Sequence, residues 1–142
     1  MRPWPGVDHV CEIPPLPFEE HSVGIVRAVD FLEHVPGQVR LLNDVWRVLV
    51  DGGWLSSRTP STDGRGAFQD PTHVSFWNEN SFFYYTDRNF ARYVPEIRCR
   101  FQGFRVATDY PNAWCKEHKV PYVYADLAAV KTWRRRPGRI SI

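Results

Sequence analysis

No apolar run in the chain approaches the ~18 residues a membrane-spanning helix needs. The opening Met1-Arg2-Pro3-Trp4-Pro5 also lacks the apolar stretch of a secretory signal. Cysteine is scarce and odd in number, so Cys11, Cys99 and Cys115 do not form a disulfide framework. There are no internal repeats and no low-complexity segments. These absences read as a soluble, cytoplasmic chain. At 142 residues the length suits one domain. The composition, 43% hydrophobic and 15% aromatic, is rich enough for a core and too apolar for wholesale disorder.

The net charge of +2 hides an asymmetry. Residues 131–142 hold Lys131, Arg134, Arg135, Arg136 and Arg139 and no acid; the other 13 basic residues face 16 acids, a balance of −3. A body of that sign is a poor nucleic-acid surface, which requires clustered positive charge. A basic chain end is ordinarily a solvated terminus. The expected division is a domain over residues 1–130 and a basic tail over 131–142.

Along the chain, Gly6–Ile13 has the apolar spacing of a short strand stopped by Pro14-Pro15. Val23–Val29 is a short apolar run suited to a strand buried on both faces of a parallel sheet. Leu42, Val45, Trp46 and Leu49, with Val35 and Val39 before them, predict a helix with Pro36 in its first turn. Asp51-Gly52-Gly53 is its expected end, and Trp54–Thr59 resumes as a strand before Pro60. Strand, helix, strand is a βαβ unit. An aromatic cluster follows (Phe76, Trp77, Phe82, Phe83, Tyr84, Tyr85), with Asn78 or Asn80 as a helix cap. Segments near 100–109 and 120–131 predict an antiparallel strand pair.

Three motifs carry a family resemblance. Leu16-Pro17-Phe18-Glu19-Glu20-His21-Ser22, Leu32-Glu33-His34-Val35-Pro36 and Trp46-Arg47-Val48-Leu49-Val50-Asp51-Gly52-Gly53 occur in order. The later Asp70-Pro71-Thr72-His73 joins them. Together they resemble class I S-adenosylmethionine-dependent methyltransferases over about residues 6–85. The resemblance implies an α/β, partial Rossmann-like fold: a mostly parallel sheet with helices packed on it and a C-terminal antiparallel pair. It also implies methyl transfer from S-adenosylmethionine to a small-molecule or carbohydrate acceptor. One family feature is missing. The sequence has no Gly-x-Gly-x-Gly, the turn whose amides approach the cofactor closely. Roughly thirty residues, about one βαβ unit, are therefore expected to be absent upstream. The Val23–Val29 strand would then be left as a sheet edge, open to the Val7–Ile13 strand or to a second copy in a homodimer.

By the same resemblance Glu12, Asp30 and Phe31 are cofactor-binding candidates, Glu12 as an acceptor for the adenine amino group. His73, Asp70 and His34 are the catalytic candidates, a histidine oriented by a carboxylate being able to take an acceptor's proton. Each has a plainer alternative. Asp-Pro initiates turns, Glu33 favours a helix start, and the aromatics are core under a loop. His9, Cys11, Cys115 and His118 are zinc-type ligands without zinc-type spacing, so no metal is expected there. The alternative to an enzyme is a non-catalytic remnant of the fold that binds a partner.

Overall fold

The computed structural model describes residues 5–132. β1 (Val23–Val29) leads through a 3₁₀ turn (Leu32–His34) into α1 (Gln38–Val48) and then β2 (Leu49–Pro60). The short α2 (Gly66–Gln69), α3 (Glu79–Thr86) and α4 (Arg88–Ala91) precede β3 (Phe101–Asp109), α5 (Ala113–Glu117) and β4 (Tyr122–Ala129). The sheet order is β1-β2-β4-β3. β1 and β2 pair in parallel, and β4 runs antiparallel to both β2 and β3. The α/β class, the βαβ unit and the terminal antiparallel pair are borne out, in a sheet that is mixed.

α1 buries Leu41, Leu42, Val45 and Val48, so the inward face is turned from the predicted stripe: Leu42 and Val45 belong to both, whereas Val39 and Trp46 are only half-buried and Leu49 lies beyond the helix. Gly37 takes a φ of 75° at the N-cap, so Pro36 lies outside the helix rather than in its first turn. The helix also stops earlier than Asp51-Gly52-Gly53. Leu49 turns extended, and residues 50–53 bulge from β2 opposite Gly24 instead. A Cβ on Gly53 would lie 3.0 Å from the Val50 carbonyl and 3.1 Å from that of Gly24, so the bulge needs glycine there.

Two expectations about strands are corrected. Residues 6–13 form no strand: they are exposed apart from Ile13 and pair with nothing regular. A strand is stabilised by its neighbour's ladder, and this segment pairs with neither edge of the sheet. The chain is instead tied down further along. Leu16 N–H donates to the Asp44 carboxylate, and Arg47 donates to the carbonyls of Phe18 (2.8 Å) and Leu16 (3.0 Å) while bonding Asp44 at 2.7 Å. β1 is not buried on both faces either, since as the edge strand it leaves Ile25 62% exposed.

One core joins α1, α3 and the sheet: Leu32, Leu42, Val45, Leu55, Trp77, Phe82, Phe101, Val123 and Leu127 belong to a single buried cluster. The aromatic segment divides. Trp77, Phe82 and Tyr85 are core, whereas Phe76 is exposed and stacks on Phe68 with centroids 5.2 Å apart. Asn78 is the cap of α3, its Oδ1 accepting from Ser81 N–H and its own N–H donating to Ser81 Oγ, both at 3.1 Å. On the other side of the sheet, Trp54 and Phe104 lie ring to ring at 4.7 Å and are both exposed.

Lys131, the first residue of the expected tail, is anchored. Its N–H donates to Asp51 at 2.9 Å, and its ammonium reaches the Trp46 carbonyl and sits 3.8 Å from the Trp46 ring centroid. The rest of the basic run, from residue 133 onward, lies outside the described residues.

Asn43 holds the segment before β3 against α1. Its Oδ1 accepts from Arg98 and Cys99 N–H, each at 2.9 Å, and its Nδ2 donates to the Glu96 carbonyl at 2.8 Å. Asn43→Ala is expected to cost about 2 kcal/mol, since three backbone groups lose their partner together. Urea unfolding checks this; a loss below about 0.5 kcal/mol would leave the anchor without energetic weight.

Candidate functional site

The site builds from the carboxyl end of β1, where ligands of open α/β sheets collect. Asp30 follows the strand with a φ of 51°, its N–H still donating to the Arg58 carbonyl at 2.9 Å. Its carboxylate pairs with Arg58 Nη2 at 2.7 Å. That hydrogen bond raises the Arg58 pKa. The Tyr122 phenol beside them is pushed up to about 12, first by burial and then by the Asp30 charge. Phe31 comes next and is partly exposed.

The turn Leu32–His34 buries one of its two polar residues, Glu33, and leaves the other, His34, at the surface. Glu33 is 2% exposed, and its Oε2 accepts the Thr59 hydroxyl of β2 at 2.5 Å. The Glu33 carbonyl accepts N–H groups from Val74 (2.8 Å) and Ser75 (3.0 Å). Ser75 Oγ donates to the Leu32 carbonyl at 2.7 Å and accepts the Trp77 indole N–H at 3.0 Å. Glu33 is therefore structural, but as a buried acceptor and not as a solvated dipole partner. The 70–77 loop is fastened to the turn that carries His34.

That fastening brings His34 and His73, 39 positions apart in the sequence, together with ring centroids at 5.0 Å and an edge-on arrangement. The Thr72 hydroxyl donates to Asp70 Oδ1 at 2.7 Å. Its lone pair is then what meets His34 Nδ1 at 3.1 Å, which makes Nδ1 a proton-bearing nitrogen. His73 Nδ1 faces the Ala67 carbonyl at 2.9 Å, an acceptor only, so it too carries the proton. When neutral, both rings keep their lone pair on Nε2.

Asp70 does not orient His73 directly, its Oδ2 standing 4.0 Å from His73 Nε2. The carboxylate caps its own turn, accepting the Thr72 N–H at 2.8 Å as well as the hydroxyl. Those two bonds hold its pKa below the ordinary carboxylate value. Sequence reasoning missed Ala67, Thr72 and Thr59, the residues that hold the candidates. Backbone carbonyls and threonine hydroxyls acting across loops leave no pattern in a sequence. Glu12, for its part, is exposed and makes no side-chain hydrogen bond among the described residues.

The zinc-type residues stay apart in role. His9 packs edge-on against Phe18 at 5.7 Å, Cys115 is buried, and His118 stacks on Trp114 at 4.2 Å. The largest groove, about 870 Å³, runs along the outer side of α1 past Pro14, Arg40 and Glu96, and contains none of the candidates. None of the described helices is long and apolar enough to cross a membrane.

Residues 6–57 match the family model of a methyltransferase domain. No curated protein matches the sequence. Solved structures do match in fold. A chain in the complex of the Haloferax volcanii Trm112 methyltransferase activator superimposes with a TM-score of 0.58 at 11% identity, over 82% of this chain and 58% of that one. The YcgJ protein of Bacillus subtilis gives 0.54 at 11%, over 82% and 68%. The [4+2]-cyclase SpnF gives 0.53 at 12%, over 82% and 53%. The chain thus has the α/β fold of class I S-adenosylmethionine-dependent methyltransferases, and the resemblance carried by its motifs is borne out. It spans 58% of the first of these structures.

Proposed function

We propose that this chain is part of an S-adenosylmethionine-dependent methyltransferase acting on a small-molecule or sugar-like acceptor. The observation that carries the reading is the convergence of Asp30, Phe31, His34 and His73 around the carboxyl end of β1. His34 and His73 form the acceptor side. A proton leaving an acceptor hydroxyl has the Nε2 lone pairs of two neutral imidazoles to receive it. Asp70 is a positioning residue, acting on His34 through Thr72. Glu12, Asp30 and Phe31 form the donor side, and they fit the donor only in part. The Asp30 carboxylate is already paired with Arg58, Glu12 has no neighbour to fix it, and no glycine-rich turn offers amides to the methionine portion.

Titration with S-adenosylhomocysteine tests this. The 142-residue chain is expected to bind with a dissociation constant near or above about 1 mM, where only some 4 kcal/mol of affinity is available. Amide shifts in nuclear magnetic resonance should centre on Asp30, Phe31 and His34. Shifts confined elsewhere would remove the donor-site reading, and micromolar binding by calorimetry would show that these residues suffice.

A second reading, a non-catalytic module that pairs with another chain, draws on a separate observation. β1 is an open edge, and exposed Ile25, Trp54 and Phe104 line the adjoining face. A homodimer joined along β1 follows from it.

A further inference from the structure

We propose that Glu33, His34 and His73 form a binding site for a divalent first-row metal ion such as Zn²⁺ or Mn²⁺. Each of the three offers a ligand atom, and those atoms lie within 4.8 Å of one another. Ligand atoms at about 2.1 Å from a tetrahedral ion stand about 3.4 Å apart, so closing the set takes side-chain adjustments of about 1 Å. Two imidazoles and one carboxylate, with no thiolate, make a mixed nitrogen–oxygen set. Such sets suit this group of ions and leave coordination positions open.

The surroundings are those of metal-binding histidines and not of a stray cluster. A ligating histidine characteristically donates its other ring N–H to a carbonyl or similar acceptor, which fixes the tautomer. His73 does so to the Ala67 carbonyl and His34 to the Thr72 hydroxyl. Thr72 is held in turn by Asp70. Glu33 is buried, and its carboxylate accepts a hydrogen bond from the neutral Thr59 hydroxyl. No ion pair to Glu33 occurs among the described residues. A buried carboxylate without a cation is costly, and a coordinated metal ion is one standard way of compensating it. The three ligands stand on two segments already fastened together by the Glu33 carbonyl, so little backbone ordering remains to be done on binding.

The inference goes beyond methyl transfer and does not depend on it, because the ion can be bound without any donor. With the ion in place, both Nε2 lone pairs are engaged in coordination. The rings then orient the ion and no longer accept a proton.

The full chain, freed of metal with a chelator and dialysed, is titrated with ZnCl₂ by calorimetry. In parallel MnCl₂ is added while the imidazole resonances are followed. One equivalent of Zn²⁺ should bind, and substoichiometric Mn²⁺ should broaden His34 and His73 while sparing His118. His34→Ala, an exposed position expected to fold normally, should weaken Zn²⁺ binding about tenfold or more. His73→Ala should do the same, and His118→Ala should change nothing. Thermal melting of each variant without metal separates folding from binding. Absence of saturable binding by either ion, or equal affinity in the folded His34→Ala chain, would overturn the site. Failure of S-adenosylhomocysteine to bind would leave it standing.

Discussion

Trp77→Ala is expected to destabilise the domain by about 3–5 kcal/mol, a large share of the roughly 5–15 kcal/mol that holds a domain folded. Trp77 is completely buried and stacks on Phe82 at 5.1 Å. Its indole N–H satisfies Ser75, and its carbonyl accepts Thr62 N–H at 2.8 Å. Truncation leaves a large cavity and removes the donor to the Ser75 hydroxyl's lone pair at the same point, and the two costs add. Because Ser75 also bonds the Leu32 carbonyl, the turn bearing His34 should loosen as well. Trp77→Phe keeps most of the volume and should retain over half of the lost stability. Urea midpoints for the three proteins check the order. A Trp77→Ala loss below about 1 kcal/mol would mean that the core closes over the gap.

Stability should also fall steeply in alkali. Burial raises the Cys99 thiol from 9.0 to about 12 and carries the Tyr85 phenol still higher. Both groups are neutral when protonated, so the folded state keeps protons that the unfolded chain gives up. Above pH 9 the unfolded state therefore binds fewer protons, and the free energy of unfolding declines as pH rises. The loss begins near the ordinary thiol value, continues toward pH 12, and is on the order of 4 kcal/mol from Cys99 alone. Below about pH 8 these two groups contribute no slope. Urea unfolding at pH 7.5, 9 and 10.5 should show the decline, and Cys99→Ala should flatten it. An unchanged slope in that variant would place the effect elsewhere.

The elements that could be read in advance are those whose signal is local. The Leu42-Val45-Trp46-Leu49 periodicity and the apolar run Val23–Val29 carry their own preference for helix and strand, and both elements are present. Residues 6–13 have a similar local pattern and form no strand, since they pair with neither edge of the sheet and a lone extended segment has no ladder to hold it. The helix end was displaced for a related reason. Asp51-Gly52-Gly53 looks like a terminator, yet the parallel ladder of β2 with β1 draws Leu49 into the strand and turns the glycines into a bulge. At the site, the motif residues identify who takes part and say little about who holds whom. His73 with Asp70 reads as a histidine oriented by a carboxylate, and their separation of 4.0 Å hands that task to the Ala67 carbonyl.

Gly66 gives that last bond a remote origin. A methyl group there would fall 2.5 Å from Val120, so the backbone beside Ala67 is wedged against the segment that leads into β4. The His73 ring thus takes its bearing from a fulcrum on the opposite flank of its own loop. A side chain at position 66 would have to displace Val120 or the backbone that presents the Ala67 carbonyl to His73.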